Sequence, residues 1–205
     1  MINAQDALDR LRRGNQRFVS GLRKHDPQPS QSRRAEIADG QEPFAIILGC
    51  SDSRVPAELV FDQGLGDLFV IRVAGNIVAP SQIGSVEFAA AQFHTRLVVV
   101  LGHSNCGAVL ATLDELRQPV ANQSHNIRSI VDRIRPSVEP LLSDQAPFGS
   151  QLLVERAVRA NVEYSVDQLR HGSAILENLV KEKNLLIVGA EYSLETGAVE
   201  FFDAD

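Results

Sequence analysis

Leu97-Val98-Val99-Val100-Leu101-Gly102-His103-Ser104-Asn105-Cys106 is the stretch that decides the fold. Its first five residues are apolar without alternation, the pattern of a strand covered on both faces, and such strands belong to parallel sheets. Phe44-Ala45-Ile46-Ile47-Leu48-Gly49 has the same character and runs directly into Cys50. Further strand runs are read at residues 68–74 and 185–189, with helical stretches between them. The last run extends to residue 193 and is followed by 198–202. Leu194-Glu195-Thr196-Gly197 between the two reads as a hairpin turn, which makes the fifth strand antiparallel at the sheet edge. The expected architecture is a single α/β domain: a mostly parallel sheet of four strands plus an antiparallel edge strand, flanked by helices.

Outward from the strands, Ala7, Leu8, Leu11, Asn15 and Phe18 fall at near-helical spacing and predict an amphipathic helix over residues 3–19. Residues 21–41 read as a long excursion with one short helix at 32–38. A helix followed by such an arm packs on its own domain or on a partner subunit, and spacing does not choose between them. A second helix is read at 81–94, capped by Ser81, and a third at 150–179, broken near His171-Gly172. Residues 136–147 are the most loop-like stretch of the second half. With no internal repeat or domain boundary, the chain divides into a helical arm, 1–43, and an α/β catalytic domain, 44–205, that form one structural domain.

Composition narrows the function. The chain has 205 residues, is 44% hydrophobic and carries a net charge of −6. Its acidic pI of 5.4 argues against a nucleic-acid surface. No basic leader precedes an apolar run at the start, and no run approaches the roughly 18 apolar residues of a membrane span. Two cysteines, both at strand ends, do not make a secreted disulfide scaffold. The expectation is a cytoplasmic protein whose thiols stay reduced.

Those two thiols carry the chemistry. Ligands of open α/β sheets bind beyond the carboxyl ends of the strands, where Cys50 and His103-Ser104-Asn105-Cys106 both fall. Two sulfurs and an imidazole form a set that zinc prefers, and three protein ligands leave a fourth position open, as at a catalytic metal. Asp52 and Arg54 follow Cys50 at intervals of two. Strand-like spacing points their side chains the same way, for a bidentate ion pair that fixes the carboxylate. Beside a metal that brings the pKa of water to about 7, Asp52 accepts a hydrogen bond and aims the attacking oxygen. A redox disulfide between Cys50 and Cys106 is the alternative, although the spacing is not Cys-x-x-Cys and it leaves His103 idle.

Cys50-Ser51-Asp52-Ser53-Arg54-Val55-Pro56 together with His103-Ser104-Asn105-Cys106-Gly107-Ala108 resembles the β-class carbonic anhydrases, and the likeness runs from the N-terminal helix to the final hairpin. The resemblance implies zinc on Cys50, His103 and Cys106, one ion per chain, with Asp52 and Arg54 as gate and orienter of the fourth ligand and Asp52 as that ligand in a closed state. It implies a homodimer or a dimer of dimers in which the arm embraces the neighbouring subunit. It assigns Gln41 a hydrogen bond to substrate across the dimer interface, and it assigns Phe69, Ala74, Phe88 and Gly107 to a small apolar pocket. Arg72 and Tyr192 match two residues of a second, bicarbonate-binding site found in some members, but Ile47 stands where that site has tryptophan. The implied reaction is reversible hydration of carbon dioxide to bicarbonate and a proton. Hydrolysis of carbonyl sulfide or carbon disulfide on the same scaffold, and a non-enzymatic zinc or thiol-redox module, are the competing readings. His25, His94, His125 and His171 are proton-shuttle candidates by residue type alone.

Overall fold

Every residue of Ala45–Cys50 and of Leu97–His103 is buried, so the two runs are central strands. In a computed structural model, which describes residues 2–25, 31–119, 124–143 and 150–202, they pair with each other in parallel. The elements in chain order are α1 (Ala4–Val19), α2 (Gln31–Glu36), β1 (Ala45–Cys50), α3 (Ala57–Val60), β2 (Leu68–Val73), α4 (Pro80–Gln92), β3 (Leu97–His103), α5 (Gly107–Arg117), α6 (His125–Val138), α7 (Gln151–His171), α8 (Ala174–Lys181), β4 (Leu186–Tyr192) and β5 (Val199–Phe202). The strand order is β2-β1-β3-β4-β5, with β5 alone antiparallel. This is the predicted sheet. From β1 the chain passes outward to β2 and then returns to the other side of β1 as β3, so the order reverses between β1 and β3. Such a switch point opens a crevice at the carboxyl ends of the two strands.

Alternation along each strand separates two apolar layers. Ile47, Val99, Leu101, Val188 and Ala190 face α1 and α3. Ile46, Leu48, Val98, Val100 and Ile187 face α4, α7 and α8. Within the chain, Ala7, Leu8 and Leu11 of α1 are fully buried on its own sheet. Burial of each leucine contributes about 1.5–3 kcal/mol. Gly14 makes the close approach possible, because a Cβ there would lie 1.8 Å from the Phe61 carbonyl oxygen. The next residue, Asn15, donates to the carbonyls of Val60 (3.1 Å) and Gly197 (2.9 Å) and accepts from the Val199 N–H (2.9 Å). It ties α1 to α3 and to the last hairpin, whose turn over residues 194–197 is where the sequence puts it.

Three readings need correction. Helix α4 starts one residue before Ser81, at Pro80 with Ala79 as cap. Proline at the first helical position fixes φ and lacks an N–H that would have no helical partner, so no side-chain cap is used. Pro136 lies inside α6 and not in a loop. It sits near the helix end, where the chain tightens into a 3-10 turn over Glu139–Ser143; residues 144–147 of the predicted loop lie outside the described residues. The helix read at 32–38 forms one residue earlier and ends sooner, as Gln31–Glu36. The break near His171-Gly172 is real, and Ser173 caps α8 by accepting from the Leu176 N–H. No helix among the described residues is long and apolar enough to cross a membrane.

After α1 the chain is anchored at Asp62, whose side chain is fully buried. It accepts from the backbone N–H groups of Lys24 (3.1 Å) and His25 (3.0 Å) and from the Arg17 guanidinium. Burial pushes its carboxyl up, but these donors win and hold it at about 2. A carboxylate whose folded value lies below its unfolded value of about 3.9 contributes stability above that pH and loses it as pH falls toward 2. Asp62→Asn, which turns an amide toward two N–H donors, is expected to lower stability by about 1–3 kcal/mol at neutral pH. The gap from wild type, measured by thermal melts, should be constant above about pH 5 and close between about pH 4 and 2.

Candidate metal centre and active site

The register Gly49↔Leu101 sets the ends of β1 and β3 side by side, which delivers Cys50 and His103 to the crevice. Three residues on, Cys106 occupies the N-cap of α5, so the start of that helix turns the second thiol back toward the first. The two sulfurs are 4.0 Å apart. The Cys50 and Cys106 sulfurs and a ring nitrogen of His103 lie within 4.8 Å of one another, all on buried residues. Sulfurs bound tetrahedrally to zinc at about 2.3 Å sit about 3.8 Å from each other, so the pair needs almost no movement to hold such an ion.

His103 is preset for ligation. Its Nδ1 lies 3.0 Å from the Ser104 carbonyl, which can only accept; the ring proton is therefore on Nδ1. That leaves a bare lone pair on Nε2, which is buried and without a hydrogen-bond partner among the described residues. A buried acceptor without a partner is costly, and a metal would satisfy it. The thiols give the same indication. A hydrogen bond from Cys106 pulls Cys50 down to about 4 against the effect of burial, while the same contact pushes Cys106 up. Without a cation the pair holds a single negative charge; with one, both sulfurs can be thiolates.

At the mouth stands the ion pair. Arg54 donates from Nε to Oδ1 of Asp52 at 2.9 Å and from Nη2 to Oδ2 at 2.7 Å. The predicted bidentate geometry is present, but a turn produces it, not strand spacing. The Val55 N–H bonds the Asp52 carbonyl at 3.0 Å, and the Arg54 N–H bonds Asp52 Oδ1 at 3.0 Å. Asp52 is held well below the usual carboxylate range, first by the Arg54 side chain. Its Oδ2 lies 3.8 Å from His103 Nε2, at the edge of the three-ligand group.

Arg72, which matches one residue of the second anion site, has backbone partners here. From β2 it donates to the carbonyls of Cys50 (3.1 Å) and Asp52 (2.6 Å) and clamps the loop that carries the ion pair. Ile47 is fully buried in the core beneath α1, and Tyr192 packs beside Phe18. Gly75 escaped the sequence reading, although Gly-Asn after a strand signals a turn. It lies in a 3-10 turn over Ala74–Asn76, and its N–H points at the Cys50 sulfur, 3.4 Å away.

The remaining candidates divide between the two ends of the sheet. Ala74 opens the Gly75 turn, and Gly107 begins α5, where an added Cβ would meet nothing within 4 Å. Phe69 is in register with Ile46, four residues short of Cys50 and so about 13 Å away along the strands. It stacks with Phe88 and Phe93 at centroid distances of 6.2 and 5.9 Å, and Phe88 is 54% exposed. Gln41 lines a cavity of about 470 Å³ with Phe44, Phe93 and His94, before the start of β1. Within one chain, Gln41, Phe69 and Phe88 are therefore gathered away from the metal group. Of the shuttle candidates, His94 lies in that same cavity, His25 beside Asp62 and His171 at the exposed end of α7.

Comparison with known proteins agrees with this geometry. The sequence profile of the family described as carbonic anhydrase matches residues 45–199. Carbonic anhydrase 2 of Mycobacterium tuberculosis is 39% identical over 195 residues, which covers 95% of this chain and 91% of that protein. A carbonic anhydrase of Mycolicibacterium smegmatis is 40% identical over 198 residues, covering 97% and 93%. Among solved structures, the β-carbonic anhydrase CafA of Aspergillus fumigatus superposes with a TM-score of 0.74 at 25% identity, over 98% of this chain and 91% of that one. A buried Cys-His-Cys group at the switch point, its neighbouring Asp–Arg pair and near-full-length similarity lead to one conclusion: this chain belongs to the carbonic anhydrase family, in its β class.

Proposed function

We propose that this chain catalyses the reversible hydration of carbon dioxide at a zinc ion held by Cys50, His103 and Cys106, as a homodimer or a dimer of dimers. The observation that carries the reading is the buried three-ligand group with its unpartnered His103 Nε2 and 4.0 Å sulfur pair. Zinc, when bound, would supply a Lewis acid that brings the pKa of water to about 7 and so a nucleophile at neutral pH.

The protein's own part follows from its groups. Asp52 is held too low to take up a proton near pH 7, so it acts as an acceptor that orients the nucleophile and not as a general base. Arg54 fixes both carboxylate oxygens, and Arg72 fixes the backbone beneath them. The Ser104 carbonyl holds the His103 ring proton, which keeps that imidazole a ligand and not a proton carrier. Ala74 and Gly107 border the metal group and leave room for a small uncharged substrate.

Gln41, Phe69 and Phe88 complete the site from a second copy in this reading. A two-fold axis lays one end of the first sheet against the opposite end of its partner, since an isologous interface uses the same patch on both copies. The aromatic group of Phe69, Phe88 and Phe93, in which Phe88 is exposed and the other two are partly buried, is the kind of patch that an interface covers. Residues 1–43 would add to that interface through their exposed apolar side chains, Val19 and Leu22 among them. Reduced thiols fit a cytoplasmic setting.

The reading is tested by a stopped-flow hydration assay with metal analysis. One zinc per chain, with both thiols unreactive until a chelator is added, is expected; zinc-loaded protein without hydration activity at alkaline pH would sink the proposal. Asp52→Asn should retain zinc while hydration falls about 10²-fold, the scale of a lost positioning contact. Because the variant removes a fixed negative charge beside the ion's position, the midpoint of the pH profile should move to lower pH as the rate plateau falls. Gln41→Ala and Cys106→Ser, each impaired alone, should regain about one working site per hybrid dimer when co-assembled. If Gln41 serves its own chain's metal, no activity returns.

A further inference from the structure

Helix α7 reaches Cys50 through the Gly75 turn. Gly75 and Asn76 are successive left-handed residues, with φ of 71° and 43°. A Cβ at position 75 would lie 2.7 Å from Ile134 Cδ1 and 3.0 Å from Ala108 Cβ, and with the positive φ this disfavours any side chain there. The turn is gripped from α7: Asn161 Nδ2 donates to the Gly75 carbonyl at 2.8 Å, and Ser165 Oγ, one helical turn later, donates to the Asn76 carbonyl at 3.1 Å. Asn161 and Ser165 are each 1% exposed. Asn161 Oδ1 is buried with no hydrogen-bond partner among the described residues. An amide that uses its donor and leaves its acceptor unpaired is a costly way to fill a core position, so its value lies in the carbonyl it holds.

We propose that Asn161, assisted by Ser165, is a positioning residue for the Cys50 thiolate. By holding the two carbonyls of the turn, it keeps the Gly75 N–H on the sulfur at 3.4 Å. A hydrogen bond to a thiolate draws electron density from it, weakening its donation to a metal and raising the metal's acidity; groups that hold a ligand in this way tune the metal as the ligands do. The inference rests on the zinc reading above and extends it to a helix that supplies no ligand.

The test uses the full chain as wild type and as Asn161→Ala, loaded with zinc and, separately, with cobalt(II). Competition against a chromophoric chelator should show zinc held about ten- to a hundredfold more weakly in the variant, because a sulfur no longer held in place loses more by misplacement than it gains in donation. The sulfur-to-cobalt charge-transfer band should move to lower energy, because a thiolate freed of its N–H donor is easier to oxidise. Ser165→Ala should move both readouts the same way by less, and it serves if Asn161→Ala does not fold. A variant with lowered thermal stability but wild-type zinc affinity and an unshifted band overturns the proposal. Wild-type protein that binds neither metal overturns the zinc reading itself, a failure distinct from this one.

Discussion

Two sulfur atoms 4.0 Å apart in a buried pocket cannot both be charged unless a cation lies between them, and the carboxyl ends of β1 and β3 are organised around that constraint. The groups around the pair prepare it for a positive ion: the Gly75 N–H on Cys50, the first amides of α5 near Cys106 and an imidazole whose proton is held on the far side. Asp52 adds a third negative charge at the rim, and Arg54 neutralises it through two hydrogen bonds. With a divalent cation, two thiolates, one carboxylate and one guanidinium sum to zero. The rim pair is neutral by itself, so it sits beside the centre without disturbing the balance between the two thiolates and the ion.

The same sheet separates what a site of this kind needs. Strands about six residues long keep Gln41, Phe69 and Phe88 at one end and the ligands at the other, a distance no side chain spans. In the proposed dimer, two-fold symmetry would bring the two ends together. The arrangement also explains why β2 is half-exposed while β1 and β3 are fully buried. The strand that carries Phe69 is the one at the sheet edge.

Much of this was legible in the sequence because burial writes itself as apolar runs. Val98-Val99-Val100 and Ile46-Ile47-Leu48 could be little else than central strands, and their ends located the ligands. The Asp52–Arg54 pair was visible for a wrong reason, because a tight turn, not an extended strand, brings side chains two residues apart together. The clamp formed by Arg72 was not legible, because it acts on backbone carbonyls that no motif records. Asn161 left no signal at all: a polar residue in a long helix is indistinguishable from a solvated one until the helix is packed. Pro136 was taken for a loop marker because proline is judged by its average behaviour, while α6, buried through Val131, Ile134 and Val138, keeps it although its missing N–H leaves one helical bond unmade.

Asn15 links residues 182 and 184 positions away, and those partners lie at the very end of the described chain. During synthesis at about 5–20 residues per second, roughly 10–40 s separate the emergence of Asn15 from that of Val199. The N-terminal helix therefore leaves the ribosome with its apolar stripe uncovered and waits for the rest of its own sheet. In that interval Leu8 and Leu11 are the surface a chaperone, or a second nascent chain, meets first.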